Sequence, residues 1–516
     1  MLNVPDKKCD VLLLYPKTGM DFGSTVAPPH ALLTIAAPVL KAGYRVKLLD
    51  HRTQMITEDI LKEYISEDMI CVALSTMTGT QIYHALTLAQ YVRNLTDGKV
   101  PIVWGGCHPT VMPQQTAEND KVDIVVVGEG DETFLELVEA LDHKRDLRCV
   151  EGIVFKDGAR IVQTPERPLM DVETLLPVPW ELIDVEKYIH QDMYLKGSSR
   201  TLDIGQTSRG CPFCCGFCSS SAIRKRKWRP VSIAKSLEMI TENVKRFDLN
   251  GIWLRDDEFY IDRRRATTIC EGIIERNLNI NFYTSGTRVD VFLKASDYEV
   301  ATLKRAGAHT LKFGAESGSQ RILDLMNKMI TVDQTLQANL VCKKHGIIPA
   351  FGRLIGYPTE TFEDIDKTID LGFKLLEDNP AAQLETIAIF TPIPGTPSYA
   401  LCLDHGLKPP DSLEGWAYWT FEDILPDGSK NPWYSDKECV HLSNVCYISI
   451  LAHALENIMG SLRNKYLRYI AQKVAIPVSY HFKQRLKYKE YRFVPELQFI
   501  GHLRKELFYR SDFTIT

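Results

Sequence analysis

The chain has 516 residues, room for about three domains at roughly 150 residues each. With 45% hydrophobic and 25% charged residues it has the make-up of an ordinary soluble globular protein, and a net charge of −5 gives no ground for a nucleic-acid partner. No apolar run reaches the ~18 residues of a membrane-spanning helix. The apolar run at 11–15 is too short for a secretory signal and reads as a first strand. Thirteen cysteines without a pairing pattern fit a reducing cytoplasm better than a disulfide scaffold.

Along the first 145 residues, strands are expected at 10–16, 45–50, 69–75, 101–106 and 122–128. Helical patterns occupy 30–43, 57–65, 81–95 and 131–141. Uniformly apolar strands, each followed by a helix, indicate a parallel sheet covered on both faces. Ligands of such a sheet bind at the carboxyl ends of its strands. Three loops there are rich in glycine or hydroxyls: Ser75-Thr76-Met77-Thr78-Gly79, Gly105-Gly106-Cys107-His108-Pro109 and Gly128-Glu129-Gly130-Asp131-Glu132. Small residues at these positions let a large cofactor approach the backbone, although ordinary tight turns would look the same.

Residues 152–162 read as a hairpin with an Asp157-Gly158 turn, and 165–198 as a proline-rich extended linker. A second alternating series follows, with strands expected at 201–207, 251–256, 279–285, 309–313, 348–355 and 383–390. Helices are expected at 231–247, 263–276, 295–306, 331–345 and 361–376. Six βα units suggest a partial barrel with its active site at the carboxyl ends of the strands. Beyond residue 398 the character changes. Trp416, Trp419, Phe421 and Trp433 fall in a loop-like stretch that reads as a lid or a packed junction. From Arg463 onward twelve Lys and Arg stand against four acids, interleaved with aromatics. That end reads either as a peripheral membrane contact or as a helical layer with aromatics inward and lysines solvated.

The loop after the first strand of the second series is Arg209-Gly210-Cys211-Pro212-Phe213-Cys214-Cys215-Gly216-Phe217-Cys218. Its C-x3-C-x2-C spacing suits three corners of a 4Fe–4S cluster whose fourth iron has no protein ligand. Zinc, the competing reading, usually takes four ligands, and no second Cys pair lies nearby. Cys214 breaks the spacing and is read as a non-ligand. Cys107 and His108 are too few for a metal site.

These features resemble the cobalamin-dependent branch of the radical S-adenosylmethionine superfamily. Arg255-Asp256-Asp257-Glu258 at the end of the second barrel strand, Gly314-Ala315-Glu316-Ser317-Gly318, Gly356-Tyr357-Pro358 and Pro392-Ile393-Pro394-Gly395 are similar to its barrel motifs. Pro28-Pro29-His30, Gly105-Gly106-Cys107-His108-Pro109 and Gly128-Glu129-Gly130 are similar to its N-terminal domain. The resemblance implies an α/β chain with four parts. Residues 1–145 form a Rossmann-like (flavodoxin-like) cobalamin-binding domain, and 146–198 a hairpin and linker. Residues 199–398 form a partial (β/α)6 radical SAM barrel, and 399–516 a mainly α-helical C-terminal region.

It also implies a 4Fe–4S cluster on Cys211, Cys215 and Cys218. S-adenosylmethionine would be held by Asp256, Asp257, Ser285, Arg288, Glu316 and Ser317. Cobalamin would be held by Ser75, Thr76, Met77, Gly105, Gly106, Gly128, Glu129 and Gly130. The implied reaction is reductive cleavage of S-adenosylmethionine to a 5′-deoxyadenosyl radical, hydrogen abstraction from an unactivated carbon, and methylation with cobalamin. Oxidative cyclisation or ring rearrangement is the alternative, and a non-catalytic cobalamin sensor a third reading. The implied partners are a small-molecule substrate, hydrophobic or ring-shaped, and an electron donor such as flavodoxin or ferredoxin. One departure concerns the lower face of the corrin. The loop after the first strand, Lys17 to Gly23, lacks the D-x-H-x-x-G histidine, which suggests a lower face left open or shielded by a residue such as Met77.

Overall fold

A computed structural model describes residues 8–19, 21, 26–66, 68–191, 195–419, 429–453, 465–492 and 494. The chain divides into two compact units. The first takes the described residues within 1–311, 393–399 and 409–422, and the second those within 312–392, 400–408 and 423–516.

In the first unit, strands β1 (Val11–Tyr15), β2 (Val46–Asp50), β3 (Cys71–Ser75), β4 (Ile102–Gly105) and β5 (Ile124–Val126) form a parallel sheet. Hairpin strands β6 (Ile153–Asp157) and β7 (Arg160–Gln163) continue it antiparallel, in the order β2-β1-β3-β4-β5-β6-β7. Strands β1 and β3 are buried almost throughout, as expected for a sheet covered on both faces. The covering helices are α1 (His30–Lys41), α2 (Glu58–Lys62), α3 (Thr80–Thr96) and α6 (Gly130–Asp142). Two short helices, α4 (Cys107–Val111) and α5 (Pro113–Glu118), occupy what reads in the sequence as loop. The hairpin, expected as a separate element before the linker, is hydrogen-bonded into the sheet: Val125 pairs with Val154. The stretch expected as an extended linker carries short 3-10 turns at Val172–Thr174, Trp180–Leu182 and Val185–Tyr188.

The second series opens with β8 (Thr201–Gly205). A two-residue antiparallel pair, β9 (Ser208–Arg209) and β10 (Arg229–Pro230), brackets the cysteine loop and α7 (Ser219–Ile223). Strands β11 (Gly251–Leu254) and β12 (Asn281–Thr287) then run parallel beside β8. Between them come α8 (Ile233–Arg246) and α9 (Arg263–Glu275), started by the side chains of Ser232 and Asp262. Short α10 (Val289–Phe292) and α11 (Asp297–Arg305), opened by a Ser296/Glu299 capping box, complete this part.

Strand β13 (Ala308–Glu316) carries the chain into the second unit. That unit holds α12 (Gln320–Leu325), α13 (Val332–His345), β14 (Ile348–Ile355), α14 (Phe362–Asp378) and β15 (Gln383–Ile389). Thr331/Gln334 and Thr361/Asp364 boxes start α13 and α14. Strands β14 and β15 are parallel. After α15 (Pro397–Asp404) and α16 (Leu413–Trp416) come two long helices, α17 (Asp436–His453) and α18 (Lys465–Lys487). Leu442, Val445 and Ile448 of α17 and Phe482 and Leu486 of α18 share a core with Ile355, Ile369 and Ile387. Ser449 Oγ accepts a hydrogen bond from Ile387 N at 2.9 Å, so α17 covers β15.

Six βα steps therefore follow the first sheet, and the C-terminal part is mainly helical, as expected. In α18 one face buries Phe482, while Tyr466, Tyr469 and Tyr480 point to solvent, more than half exposed. The aromatics of the basic end are thus divided between inside and outside. Phe421 and residues 495–516 lie outside the described residues.

Candidate functional site

Above the first sheet lies an open hollow of about 790 Å³, counting the solvent in its mouth. Its floor is the carboxyl ends of β3, β4 and β5, and its walls are α1 (Ala31, Leu32, Ile35) and α6 (Phe134). Of the residues expected at a cobalamin site, Ser75, Gly105, Gly106, Gly128, Glu129 and Gly130 line it. Gly106 cannot be replaced without strain. Its φ is +99°, and a Cβ there would stand 2.6 Å from Thr76 O and 2.9 Å from Ser75 Oγ. Thr76 and Met77 belong to the neighbouring loop instead. Thr76 N donates to Gly105 O, its hydroxyl is buried without a partner, and Met77 is 45% exposed.

His108, beside the glycine pair, is fully buried. Its Nδ1 is 2.9 Å from Thr78 Oγ1, its Nε2 has no partner, and burial pushes it down to about 4, so it is neutral. The Trp416 ring stands 5.5 Å away, and Trp416 Nε1 donates to Gln115 Oε1 at 2.6 Å. Trp416 is thus packed inside the first unit, while Trp433, in the second unit, donates Nε1 to Gly356 O. The tryptophan-bearing stretch is therefore divided between the two units.

The hollow also touches the second series. Arg209 and Arg224, on either side of the cysteine loop, line it as well. Arg209 forms a two-armed bridge to Asp131 at 2.9 and 3.0 Å. Arg224 and Arg229 both meet Glu129, at 2.6 and 2.5 Å. Burial opposes ionisation of Glu129, but the arginines outweigh it and hold the carboxyl below its usual range.

The cysteine loop is fixed from below. Gly210 (φ +86°) has no room for a Cβ, which would meet Lys227 O, and its N–H donates to Asp257 Oδ2 at 2.9 Å. Cys215 is buried, with Cys211 and Cys218 partly exposed beside it. Cys214 is also partly exposed and free of any disulfide. Burial pushes the Cys211 thiol up to about 12. Arg288 Nη1 donates to Cys215 Sγ at 3.3 Å, and its guanidinium lies 3.8 Å over the Phe213 ring.

The acids at the end of β11 serve different ends. Asp256 is 1% exposed, and its oxygens accept from Thr207 N, Thr207 Oγ1 and Ser208 Oγ at 3.1, 2.9 and 2.5 Å. Glu258, also buried, accepts from Tyr260 N and Arg288 N. Asp257 is exposed at the foot of the cysteine loop, and Ser285 is half-buried at the end of β12.

In the second unit Glu316, at φ +57°, pairs with Lys328 Nζ at 2.7 Å. Ser317 is fully buried, its hydroxyl 3.1 Å from Thr368 Oγ1 and accepting from Ser319 N. Glu360, at the end of β14, accepts from Gly356 N and Tyr357 N. Its other oxygen has no partner, and burial raises its carboxyl to about 8.

The radical SAM superfamily pattern matches residues 206–372 and the B12-binding domain pattern residues 24–138. An uncharacterized methyltransferase of Pyrococcus horikoshii is 34% identical over 396 residues, 76% of this chain and 82% of its own length. This chain belongs to the cobalamin-dependent radical S-adenosylmethionine enzymes. An anaerobic magnesium-protoporphyrin IX monomethyl ester cyclase of Rubrivivax gelatinosus is 31% identical over 71% of this chain and 65% of its own length. Among solved structures, the cobalamin-dependent radical enzyme OxsB matches the fold with TM-score 0.69 at 18% identity, covering 96% of this chain and 75% of OxsB. The methyltransferase TsrM of Kitasatospora setae, with cobalamin and a [4Fe-4S] cluster bound, matches with TM-score 0.64 at 17% identity, over 85% and 88%.

The family's cofactors are a 4Fe–4S cluster, S-adenosylmethionine and cobalamin, and the residues present fit them. Among the described residues no three His, Cys, Asp or Glu converge on a single ion. Three thiols on one loop, Cys211, Cys215 and Cys218, suit a cluster, where each takes a different iron. The glycine-lined hollow, with the orphaned Thr76 hydroxyl beside it, suits a large flat cofactor lying on backbone. Sequence reasoning missed the helix walls of α1 and α6 and the two arginines. The walls were legible as apolar helix faces, but nothing local says that the space between them is left open. Among the described residues no helix is long and apolar enough to cross a membrane.

Proposed function

We propose that this enzyme methylates an unactivated carbon of a small-molecule substrate. The observation that carries the reading is the shared lining of the hollow: Arg209 and Arg224 bracket the cluster cysteines and also border the cobalamin bed. When bound, the cluster, S-adenosylmethionine and cobalamin supply electron transfer, hydrogen abstraction and methyl transfer. The chain's own residues bind, orient and exclude water. Cys211, Cys215 and Cys218 hold the cluster. Arg288 sets a fixed cation beside Cys215, which favours the charge of a metal-bound thiolate. Asp257, exposed and tied to Gly210, meets the amino group of S-adenosylmethionine with Ser285 beside it. Asp256, turned inward onto Thr207 and Ser208, and Ser317, turned onto Thr368, brace their loops. Ser75, Gly105, Gly106, Gly128 and Gly130 form the cobalamin bed, with Thr76 and Met77 at its rim. A flavodoxin or ferredoxin delivers the electron, and the enzyme works in the cytoplasm.

The test is anaerobic turnover with methyl-deuterated S-adenosylmethionine, with substrate found by comparing metabolites of host cells with and without the active enzyme. A deuterated methyl in the product is expected. The 31% identity to a cyclase supports a second reading, oxidative ring closure. A product that loses hydrogen and carries no deuterated methyl would decide for it.

A further inference from the structure

The glycine loop after β5 is expected from sequence to hold cobalamin through Gly128, Glu129 and Gly130. The Glu129 carboxylate is engaged elsewhere. Glu129 Oε1 meets Arg224 Nη1 at 2.6 Å and Arg229 Nη2 at 2.5 Å, Oε2 meets Arg229 Nη1 at 2.9 Å and accepts from Met170 N at 3.3 Å, and Arg209 lies 3.8 Å away. Two residues on, Asp131 takes both arms of Arg209. The side chains of both acids are less than 10% exposed. These arginines are not scattered. Arg209 immediately precedes Gly210-Cys211, Arg224 follows the helix that begins after Cys218, and Arg229 sits in β10, paired with Arg209 of β9. Both shoulders of the cluster loop are therefore bolted to one loop of the cobalamin bed, through groups with little solvent to screen them. A buried charge pair contributes little net stability, because desolvation offsets the attraction, yet removing one partner is costly and geometry is held tightly. Such a joint is suited to fixing a position more than to adding stability.

We propose that Glu129, with Asp131, is a positioning residue that registers the cobalamin bed on the cluster loop and so sets the separation of cobalt and iron–sulfur cluster. This rests on the cofactor assignment above and goes beyond it. Its role is exerted through Arg224 and Arg229, which hold its carboxylate. Registration matters because a misplacement of about 1 Å can slow a reaction between two held groups by ~10²-fold.

The test uses the full chain reconstituted with cluster and hydroxocobalamin, then reduced until both metal centres are paramagnetic. Pulsed EPR reads the distance between them, without need of a substrate. In Arg229→Gln the distance distribution is expected to broaden about twofold or shift, while iron content and hydroxocobalamin affinity stay within about threefold of the parent. Glu129→Gln should reproduce the change in distance from the other side of the joint, and it stands in if Arg229→Gln fails to fold. An unchanged distribution in the folded variants overturns the proposal. So does a hydroxocobalamin affinity weakened more than about tenfold with the distance unchanged, which would make Glu129 a direct cobalamin contact. Failure of the parent to bind cobalamin at all would instead sink the cofactor assignment, so the two failures are distinguishable.

Discussion

At the carboxyl ends of β3, β4 and β5 the chain has stripped side chains away: Gly105, Gly106, Gly128 and Gly130 leave backbone facing an open hollow. At the ends of β8, β11 and β12 it has packed them in. Asp256, Glu258 and Arg288 are buried, and their polar groups are spent on Thr207, Ser208, Tyr260 and Asp290. The same topological position thus solves two problems. On the proposed reading, a large preformed cofactor is received by shape and needs open space, whereas a cluster taken up by three thiols of one loop needs that loop on a rigid footing before the metal arrives.

The strongest test of this contrast is to remove the thiols. Cys211→Ala, Cys215→Ala or Cys218→Ala should each lower S-adenosylmethionine cleavage by about 10³-fold, ~4 kcal/mol of barrier, with loss of bound iron. Cys214→Ala should keep both; iron assay and 5′-deoxyadenosine chromatography read the outcome. Next in size, Gly106→Val should weaken hydroxocobalamin binding by about 100-fold, ~2.7 kcal/mol, because its side chain enters the space between Thr76 and Ser75. Cluster content should be unaffected, and a variant that lost its iron as well would break the separation of the two plans.

The paired acids sharpen it further. Asp256→Asn should cost about 2 kcal/mol in denaturant unfolding, since its buried partners lose a charged acceptor. Asp257→Asn should cost under about 0.5 kcal/mol yet raise the dissociation constant for S-adenosylmethionine about tenfold. Reversal of that pattern would exchange the two roles.

A further test extends the comparison to the second unit, where Glu360 lies in the loop after β14. Its folded carboxyl is raised to about 8 by burial, whereas an unfolded glutamate releases its proton near 4.5. Between those values the folded chain binds more protons, so this residue makes stability fall as pH rises from about 4.5 to about 8. Glu360→Gln should flatten that slope, and Tm at pH 6 and pH 8.5 for both proteins measures it.

Much of this was open to reading in the linear chain. Alternating apolar runs marked the strands to within a few residues, and the helices expected from 331 and 361 do begin there, behind Thr331 and Thr361 caps. The cysteine spacing singled out the loop proposed to hold the cluster. What stayed hidden depends on pairing across distance. Asp256 and Asp257 look equivalent in sequence, but successive side chains at a strand end point opposite ways, and the partners of Asp256 lie 48 and 49 residues earlier. The joint at Glu129 spans about 100 positions. Short α4 and α5 escaped because Pro109 and Pro113 punctuate them and neither spans more than six residues. The length of α18 escaped because Pro477 interrupts it, and its buried side mixes Ala475 and Ser479 with Phe482 and Leu486.

The hairpin β6–β7 carries a practical consequence for dissecting the chain. A fragment ended at residue 145 would leave β5 with an unpaired row of backbone donors and acceptors on its outer side, open to another copy of itself. Ending it after Gln163 keeps that row satisfied and leaves only a four-residue strand at the margin, bearing the charged and exposed Arg160. Expression of the two fragments side by side should give aggregates from the shorter and a workable cobalamin-binding module from the longer.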